Sequence, residues 1–96
     1  MQHQLSIIIP ILNEAKIIGN LLHYLIKNSS KENLSEIILV DGGSTDETIE
    51  IIETFNEVTL LNSKKGRAKQ MNLGAKHAKG NILYFLHADS FPPKDF

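Results

Sequence analysis

The sequence contains no cysteine. Disulfide bonds, zinc sites made of thiolates and cysteine nucleophiles are therefore excluded, and a reducing compartment is permitted. A charge excess is also missing, since 10 Lys and Arg residues stand against 11 Asp and Glu residues and the net charge is −1. Because domains that bind nucleic acid usually carry a clear basic excess, this balance argues against a nucleic-acid partner.

Long apolar segments are absent too. No apolar run approaches the ~20 residues that a membrane-spanning helix needs, and the first residues show neither the basic region nor the cleavage site of a secretory signal. We therefore expect a cytoplasmic protein, which a further part of the chain could still bring to a membrane. With 96 residues, the chain is one small domain at most.

Two common phosphate-binding motifs do not occur either, namely G-x-x-x-x-G-K-[ST] and G-x-G-x-x-G. A P-loop kinase and a dinucleotide-dependent dehydrogenase therefore lose their main support. A divalent cation held by a carboxylate and by the phosphate oxygens of a ligand can do the same work, because Mg²⁺ keeps few protein ligands and prefers substrate phosphates.

The segment Glu36–Glu47 predicts a buried strand that runs directly into a helix. Its apolar run, Ile37–Val40, is typical of an inner parallel strand, which is buried on both faces. Asp41 then stands at the carboxyl end of this strand. Gly42 and Gly43 allow a sharp turn and a close approach of a ligand.

Two of the predicted helices begin at a candidate N-cap. Asn13 follows the first strand and is expected to cap the first helix. Ser44 is expected to cap the second helix, with Glu47 closing a capping box.

The hydrophobic pattern predicts four strands that alternate with three helices. In chain order, these are a strand over Leu5–Ile11, a helix over Glu14–Lys27, a strand over Ile37–Val40, a helix that starts near Thr45, a strand over Val58–Leu61, a helix that ends before Gly80 and a strand over Ile82–Leu86. The third helix is expected to place a stripe of mostly small side chains against the sheet: Ala68, Met71, Asn72, Ala75 and Ala78. Short connections and right-handed crossovers then require an α/β fold with parallel strands.

Polar side chains follow three of these strands. Asn13 and Glu14 follow the first, Asp41 follows the second, and His87 and Asp89 follow the fourth. Each has a simpler interpretation as a helix cap, a turn former or an acceptor for loop amides. Several carboxylates at one edge of a sheet would repel one another, however, unless a cation or ligand donors belong there.

A basic cluster formed by Lys64, Lys65, Arg67 and Lys69 lies between the third strand and the third helix. It either adds positive charge near bound phosphate groups or is a solvated helix start.

Four short motifs follow one another along the chain. They are Ser6–Pro10 with Asn13 and Glu14, then Ile38–Asp46, then Gly66 with Asn72–Ala75, and then Gly80–Asp89. In this order and spacing, they resemble the nucleotide-binding half of a bacterial family 2 glycosyltransferase with the GT-A fold. The resemblance covers Leu5 to Phe96. It implies a Rossmann-like parallel sheet of strand order 3-2-1-4 and inverting transfer of a sugar from a nucleotide diphosphate sugar to an acceptor hydroxyl.

The resemblance also implies roles for matching residues. The backbone near Pro10 and the side chain of Glu14 would line the base and ribose pocket, and we count Asn13 and Gly42 with this nucleotide-binding set. Asp41 would accept a hydrogen bond from the base, which favours a UDP-sugar. Asp89 matches the last acidic position of the D-x-D element, which holds Mg²⁺ or Mn²⁺ against the diphosphate.

The sequence departs from the family pattern at two places. His87 occupies the first acidic position of D-x-D, and Met71 stands where an arginine is common, which leaves Arg67 or Lys69 as the candidate phosphate-binding cation.

The general base lies beyond D-x-D in this family, so no catalytic residue is assigned within these 96 residues. We expect residues 1–96 to be the donor-binding part of the domain, without the acceptor half and inactive alone, and the natural chain to continue past Phe96. Apolar surface left uncovered would favour a homodimer, and the acceptor could draw the protein to a membrane.

Two other functions stay open at this point. A nucleotidyltransferase would share the sheet and the metal, but it would need a glycine-rich and basic loop after the first strand. A regulatory module of flavodoxin-like shape would bind a metal or a phosphoryl group at the acidic strand ends.

Overall fold

The computed structural model describes residues 4–29 and 34–89. The elements are β1 (Leu5–Ile11), α1 (Ile18–Asn28), β2 (Leu34–Asp41), α2 (Thr48–Glu53), β3 (Thr59–Asn62), α3 (Arg67–His77) and β4 (Ile82–Phe85). The predicted alternation of strands and helices is confirmed. Phe96, past which the natural chain is expected to continue, lies outside the described residues.

The strands form one parallel sheet in the order β3-β2-β1-β4. The predicted α/β class and strand order are therefore confirmed. In this register Ile11 pairs with Asp41, and Asp41 pairs with Asn62. Because all the strands are parallel, the loops after β1, β2 and β4 emerge at the same edge.

Both faces of the sheet are covered. On one face, α1 and α2 pack on alternate strand residues such as Ile7, Ile9 and Leu39. On the other face, Ile8, Ile38 and Val40 are buried next to residues of α3. Since successive strand residues point to opposite faces, four consecutive apolar residues in β2 are buried, as predicted for an inner strand.

The outer strand β4 is less well covered. Ile82, Leu83 and Phe85 are 43%, 39% and 43% exposed, which makes them the exposed large apolar side chains of the part of the chain that the structure describes. A homodimer through this surface stays a prediction. Within the described residues, no helix has the length and apolar character to cross a membrane.

The buried face of α3 differs from the predicted stripe. Gln70 and Gly74 are its buried residues, whereas Ala68 and Asn72 are exposed. A Cβ atom at position 74 would overlap the Cγ2 atom of Ile8, so α3 approaches the sheet through a glycine. The predicted stripe is therefore right only in part: Ala75 and Ala78 pack against the buried residues of the sheet, whereas Ala68 and Asn72 do not. Apolar periodicity missed Gly74 because it gives no weight to a residue without a side chain.

The helices α1 and α2 also begin later than predicted, at Ile18 instead of Glu14 and at Thr48 instead of Thr45. The amides of Ile17 and Ile18 both donate to the Glu14 carbonyl, so residues 14–17 form a turn before the helix proper. Strands β3 and β4 end within one residue of their predicted bounds.

A cluster of hydrogen bonds lies near the amino ends of β1 and β2, at the edge of the sheet opposite to the loops that follow β1, β2 and β4. The Ser6 hydroxyl donates to Glu36 Oε2 at 2.7 Å and accepts from the Gly80 amide at 2.8 Å. The Lys79 amide also donates to Glu36 Oε2. Burial of Glu36 opposes ionisation, but the bonds from Lys79, Ser6 and Gly80 together lower its pKa below the ordinary value.

This lowered pKa predicts a pH-dependent contribution to stability. The ionised Glu36 stabilises the fold above the unfolded pKa of about 4.3, and the contribution is lost as pH falls through the folded pKa. Glu36→Gln is therefore expected to unfold at a lower urea concentration than the parent at about pH 7, and the gap is expected to shrink by about pH 3. A gap of constant size would contradict this assignment, and the exposed Glu53→Gln serves as the control.

Candidate functional site

A groove of about 290 Å³ opens at the carboxyl end of β1. Its walls come from the loop after β1 and from the segment that leads into α3. The lining residues are Pro10, Ile11, Leu12, Glu14, Lys65, Gly66, Arg67 and Gln70. The groove therefore joins an apolar wall, one carboxylate and two cations, which is a suitable set of groups for a polar ligand that carries phosphate.

The predicted site residues divide into two groups. Pro10, Glu14 and Arg67 line the groove. The others lie beside it, and their functional roles stay predictions: Asn13, Asp41, Gly42, Lys69 and Asp89.

Asp41 is 4% exposed and is held by its own loop. Its Oδ2 accepts from the Gly43 and Ser44 amides at 2.9 Å each, and its Oδ1 accepts from the Ser44 hydroxyl at 2.5 Å. The simpler interpretation, an acceptor for loop amides, is therefore confirmed, and the contact of Asp41 with a nucleotide stays a prediction. A carboxylate has about four acceptor positions, so these three bonds leave room for one further donor.

Asn13 was predicted to cap the first helix, but this prediction was wrong. The structure places Ile17 at that N-cap, without a side-chain hydrogen bond. Asn13 has a φ of 54°, a left-handed conformation that asparagine tolerates, and its Oδ1 accepts from the amides of Thr45 at 2.8 Å and Asp46 at 3.3 Å. The predicted capping box was wrong as well. The Ser44 hydroxyl donates to Asp41 instead of capping α2. The N-cap of α2 is Glu47, which makes no side-chain capping bond.

A further set of bonds joins the loops after β1 and β2. The Thr48 hydroxyl donates to Asp46 Oδ1 at 2.5 Å and accepts from the Glu14 amide at 2.9 Å, and the Ala15 amide donates to Asp46 Oδ2 at 3.3 Å. The Thr48 hydroxyl bond is the main cause that lowers the pKa of Asp46. These contacts fix the backbone position of Glu14 relative to the second loop.

Glu14 connects the groove to the loop after β4. Burial raises the pKa of Glu14, the negative charges of Asp89 and Asp46 raise it further, and the nearby Arg67 opposes them. Asp89 is thus close enough to Glu14 to act on it. The carboxylates of Glu14, Asp46 and Asp89, from the loops after β1, β2 and β4, therefore act on one another at this edge, while the predicted approach of Asp41 to Asp89 stays a prediction.

Sequence reasoning missed the apolar groove residues Ile11 and Leu12 and the polar residue Gln70. Gln70 matters most for the geometry of the groove. It is 4% exposed, and its amide nitrogen donates to the carbonyls of Ile11 at 2.9 Å and Val40 at 2.8 Å. The available signal was its spacing, since a polar residue four positions before Gly74 shares the helix face that Gly74 presents to the sheet.

The residues at the end of β4 are compatible with a hard cation. Asp89 supplies a carboxylate oxygen, the ligand type that Mg²⁺ and Mn²⁺ prefer, and both Asp89 and His87 are exposed. Among residues 4–29 and 34–89, no three His, Cys, Asp or Glu side chains form a ready metal-binding cluster. A cation here would therefore depend on oxygens from the ligand.

The comparisons with known proteins agree with this architecture. The family model described as "Glycosyl transferase family 2" matches residues 6–96. The poly(ribitol-phosphate) beta-N-acetylglucosaminyltransferase TarS of Staphylococcus aureus is 32% identical over 94% of this chain, and glycosyltransferase GlyG of Streptococcus pneumoniae is 35% identical over 93%. The chain spans only 17% of the length of TarS and 31% of GlyG.

Two solved structures share the fold. TarS 1-349 in complex with UDP-GlcNAc superposes with a TM-score of 0.78 at 33% identity, over 92% of this chain and 27% of that one. The mannosyltransferase PcManGT from Pyrobaculum calidifontis, in complex with GDP-Man and Mn²⁺, superposes with a TM-score of 0.79 at 28% identity, over 97% of this chain and 29% of that one. Neither alternative function is favoured by these similarities. On its motifs, its sheet order and the extent of the family match, this chain belongs to glycosyl transferase family 2.

Proposed function

We propose that this chain binds the nucleotide diphosphate part of a nucleotide sugar in the groove at the end of β1. The whole protein would then transfer the sugar to an acceptor hydroxyl with inversion. The observation that carries the proposal is the groove itself, in which Glu14, Lys65 and Arg67 stand at the carboxyl end of a parallel sheet. Residues 1–96 would be the donor-binding part of that protein.

The relatives support this class of ligand. TarS 1-349 is known in complex with UDP-GlcNAc and with UDP, and PcManGT is known in complex with GDP-Man and Mn²⁺. By similarity, we propose a nucleotide diphosphate sugar as the donor, with a UDP-sugar favoured.

Each side of the groove suits one part of such a donor. Pro10 and Glu14 would contact the base and the ribose, and Asp41 would accept a hydrogen bond from the base through its remaining acceptor position. Arg67 and Lys65 would face the diphosphate, because cations that line a groove pair well with phosphate oxygens. Lys69 is exposed and packs beside Gly66, so its role in phosphate binding would be secondary.

Asp89 would hold Mg²⁺ or Mn²⁺ together with the diphosphate oxygens. When bound, this cation would neutralise negative charge on the departing diphosphate. Because that charge is larger in the transition state than in the ground state, the cation would stabilise the transition state more. Arg67 and Lys65 would act in the same sense from the protein. No described residue is assigned the role of general base, so we expect this chain alone to bind the donor and to turn over poorly.

Titration calorimetry of the 96-residue chain with UDP, GDP and dTDP, at a fixed concentration of Mg²⁺ or Mn²⁺, tests the proposal. We expect binding of at least one diphosphate, with UDP tightest and with weaker binding after chelation of the metal. A folded sample that binds none of the three would overturn it.

A further inference from the structure

The side-chain amide of Gln70 is enclosed between the ends of two strands. Both of its N–H groups are used, one by the Ile11 carbonyl at 2.9 Å and one by the Val40 carbonyl at 2.8 Å. Its Oε1 accepts from the Gly66 amide at 3.3 Å, which leaves the buried amide well satisfied. The bonds to the two strands span 59 and 30 residues of sequence.

Two of these partners, Ile11 and Gly66, line the groove, and the third, Val40, belongs to the strand beside it. Ile11 continues the wall that contains Pro10, Val40 directly precedes Asp41, and Gly66 precedes Arg67. Gly66 has a φ of 143° and lies within the basic cluster, between Lys65 and Arg67. Its amide donates to the Gln70 side chain and its carbonyl accepts from the Gln70 backbone amide at 2.9 Å, so Gln70 holds this part of the basic cluster from both sides. One amide thus links the first strand, the second strand and the cationic segment.

Gly42 is shaped to accommodate this amide. A Cβ atom at position 42 would stand 2.9 Å from Cδ and Oε1 of Gln70 and 3.0 Å from Nε2. Because real Cβ atoms do not approach this closely, any larger residue at position 42 must displace the Gln70 side chain. Gly42 and Gln70 therefore form a coupled pair.

We propose that Gln70 is a positioning residue for the nucleotide site, which sets the distance between the β1–β2 edge and the cations that face the diphosphate. The assignment rests on the proposed function. Gln70 itself is nearly inaccessible, so it acts through Gly66, Arg67 and the Asp41 loop and not through the ligand. Its contribution is to preorganise the groove before the ligand binds.

The test compares UDP affinity in two variants of the 96-residue chain, in Mg²⁺. Gln70→Glu keeps the shape but sets a carboxylate against two carbonyls, and Gln70→Met keeps the length without either donor. We expect each variant to raise the Kd for UDP about tenfold or more, because the two buried hydrogen bonds that hold α3 against the ends of β1 and β2 are lost. Because Gln70→Glu regains a donor when protonated, its affinity relative to the parent is expected to recover at low pH.

Ser6→Ala is the matched control, since it removes buried hydrogen bonds at the opposite end of the sheet. We expect it to lower Tm as the Gln70 variants do but to leave the Kd for UDP unchanged. If Gln70 variants with a similar fall in Tm bind UDP as tightly as Ser6→Ala, Gln70 is merely structural and the inference is overturned. If the parent itself does not bind UDP, the proposed function fails instead.

The coupling to Gly42 supplies a readout that does not depend on the ligand. Gly42→Ala should lower Tm in the parent because its Cβ atom meets the Gln70 amide. In a Gln70→Ala background the same change should lower Tm much less, since the obstructing atoms are gone. Equal losses in the two backgrounds would contradict the coupled pair.

Discussion

Replacing Gly74 with valine is expected to lower the free energy of unfolding by about 3 kcal/mol or more, which is the upper end of the usual range for overpacking a core. A Cβ atom at this position overlaps Ile8 Cγ2 and stands 3.1 Å from Val40 Cγ2. Both partners are fully buried, so their side chains have little room to move away. Gly74→Ala should be milder, because alanine regains about 1 kcal/mol of helix propensity over glycine.

Gly19→Ala is the control for this prediction. Gly19 lies in α1, and the nearest atom to an added Cβ is Ile51 Cγ2 at 3.5 Å, an ordinary contact. This variant is expected to gain up to about 1 kcal/mol from helix propensity. Thermal unfolding should therefore shift in opposite directions, by roughly 4–8 °C for each kcal/mol in a domain of this size. A Gly74→Val variant as stable as the parent would show that α3 does not approach the sheet as closely as described.

Asp41→Ala is expected to abolish measurable nucleotide binding, both with and without a divalent cation. The change leaves the Gly43 and Ser44 amides and the Ser44 hydroxyl without their acceptor. Since a hydrogen bond to a charged group contributes about 1.5–3 kcal/mol, loss of this loop geometry should be visible in stability as well. Asp41→Asn keeps one acceptor oxygen for the loop and should preserve the fold better while still weakening nucleotide binding.

Asp89→Ala is the informative comparison. Asp89 is exposed and follows β4, so its loss should leave the loop after β2 intact and remove only the part of nucleotide affinity that depends on Mg²⁺ or Mn²⁺. Calorimetry with UDP, with and without chelator, separates the two outcomes. The exposed Glu53→Ala controls for the loss of a negative charge. Equal effects of Asp41→Ala and Asp89→Ala under both conditions would remove the distinct roles proposed for them.

The sequence by itself determined the class of fold and the edge of the sheet on which the candidate site lies. Unbroken apolar strands such as Ile37–Val40 require burial on both faces, and burial on both faces requires helices above and below a parallel sheet. Parallel strands then bring Asp41 and Asp89 to one edge, whatever the loops do in detail. These conclusions follow from hydrophobic burial and from the right-handedness of the crossovers. The local order of apolar and polar residues is enough to predict both.

Only the tertiary structure decided what the polar groups at that edge do. Asn13 serves the loop after β2 instead of its own helix, across 32 residues of sequence, and Gln70 reaches β1 across 59. The close approach of α3 to the sheet likewise depends on Gly74, which contributes nothing to a hydrophobic pattern because it has no side chain. The physical reason is that a hydrogen bond or a steric fit depends on distances between segments far apart in the chain, which no local periodicity encodes.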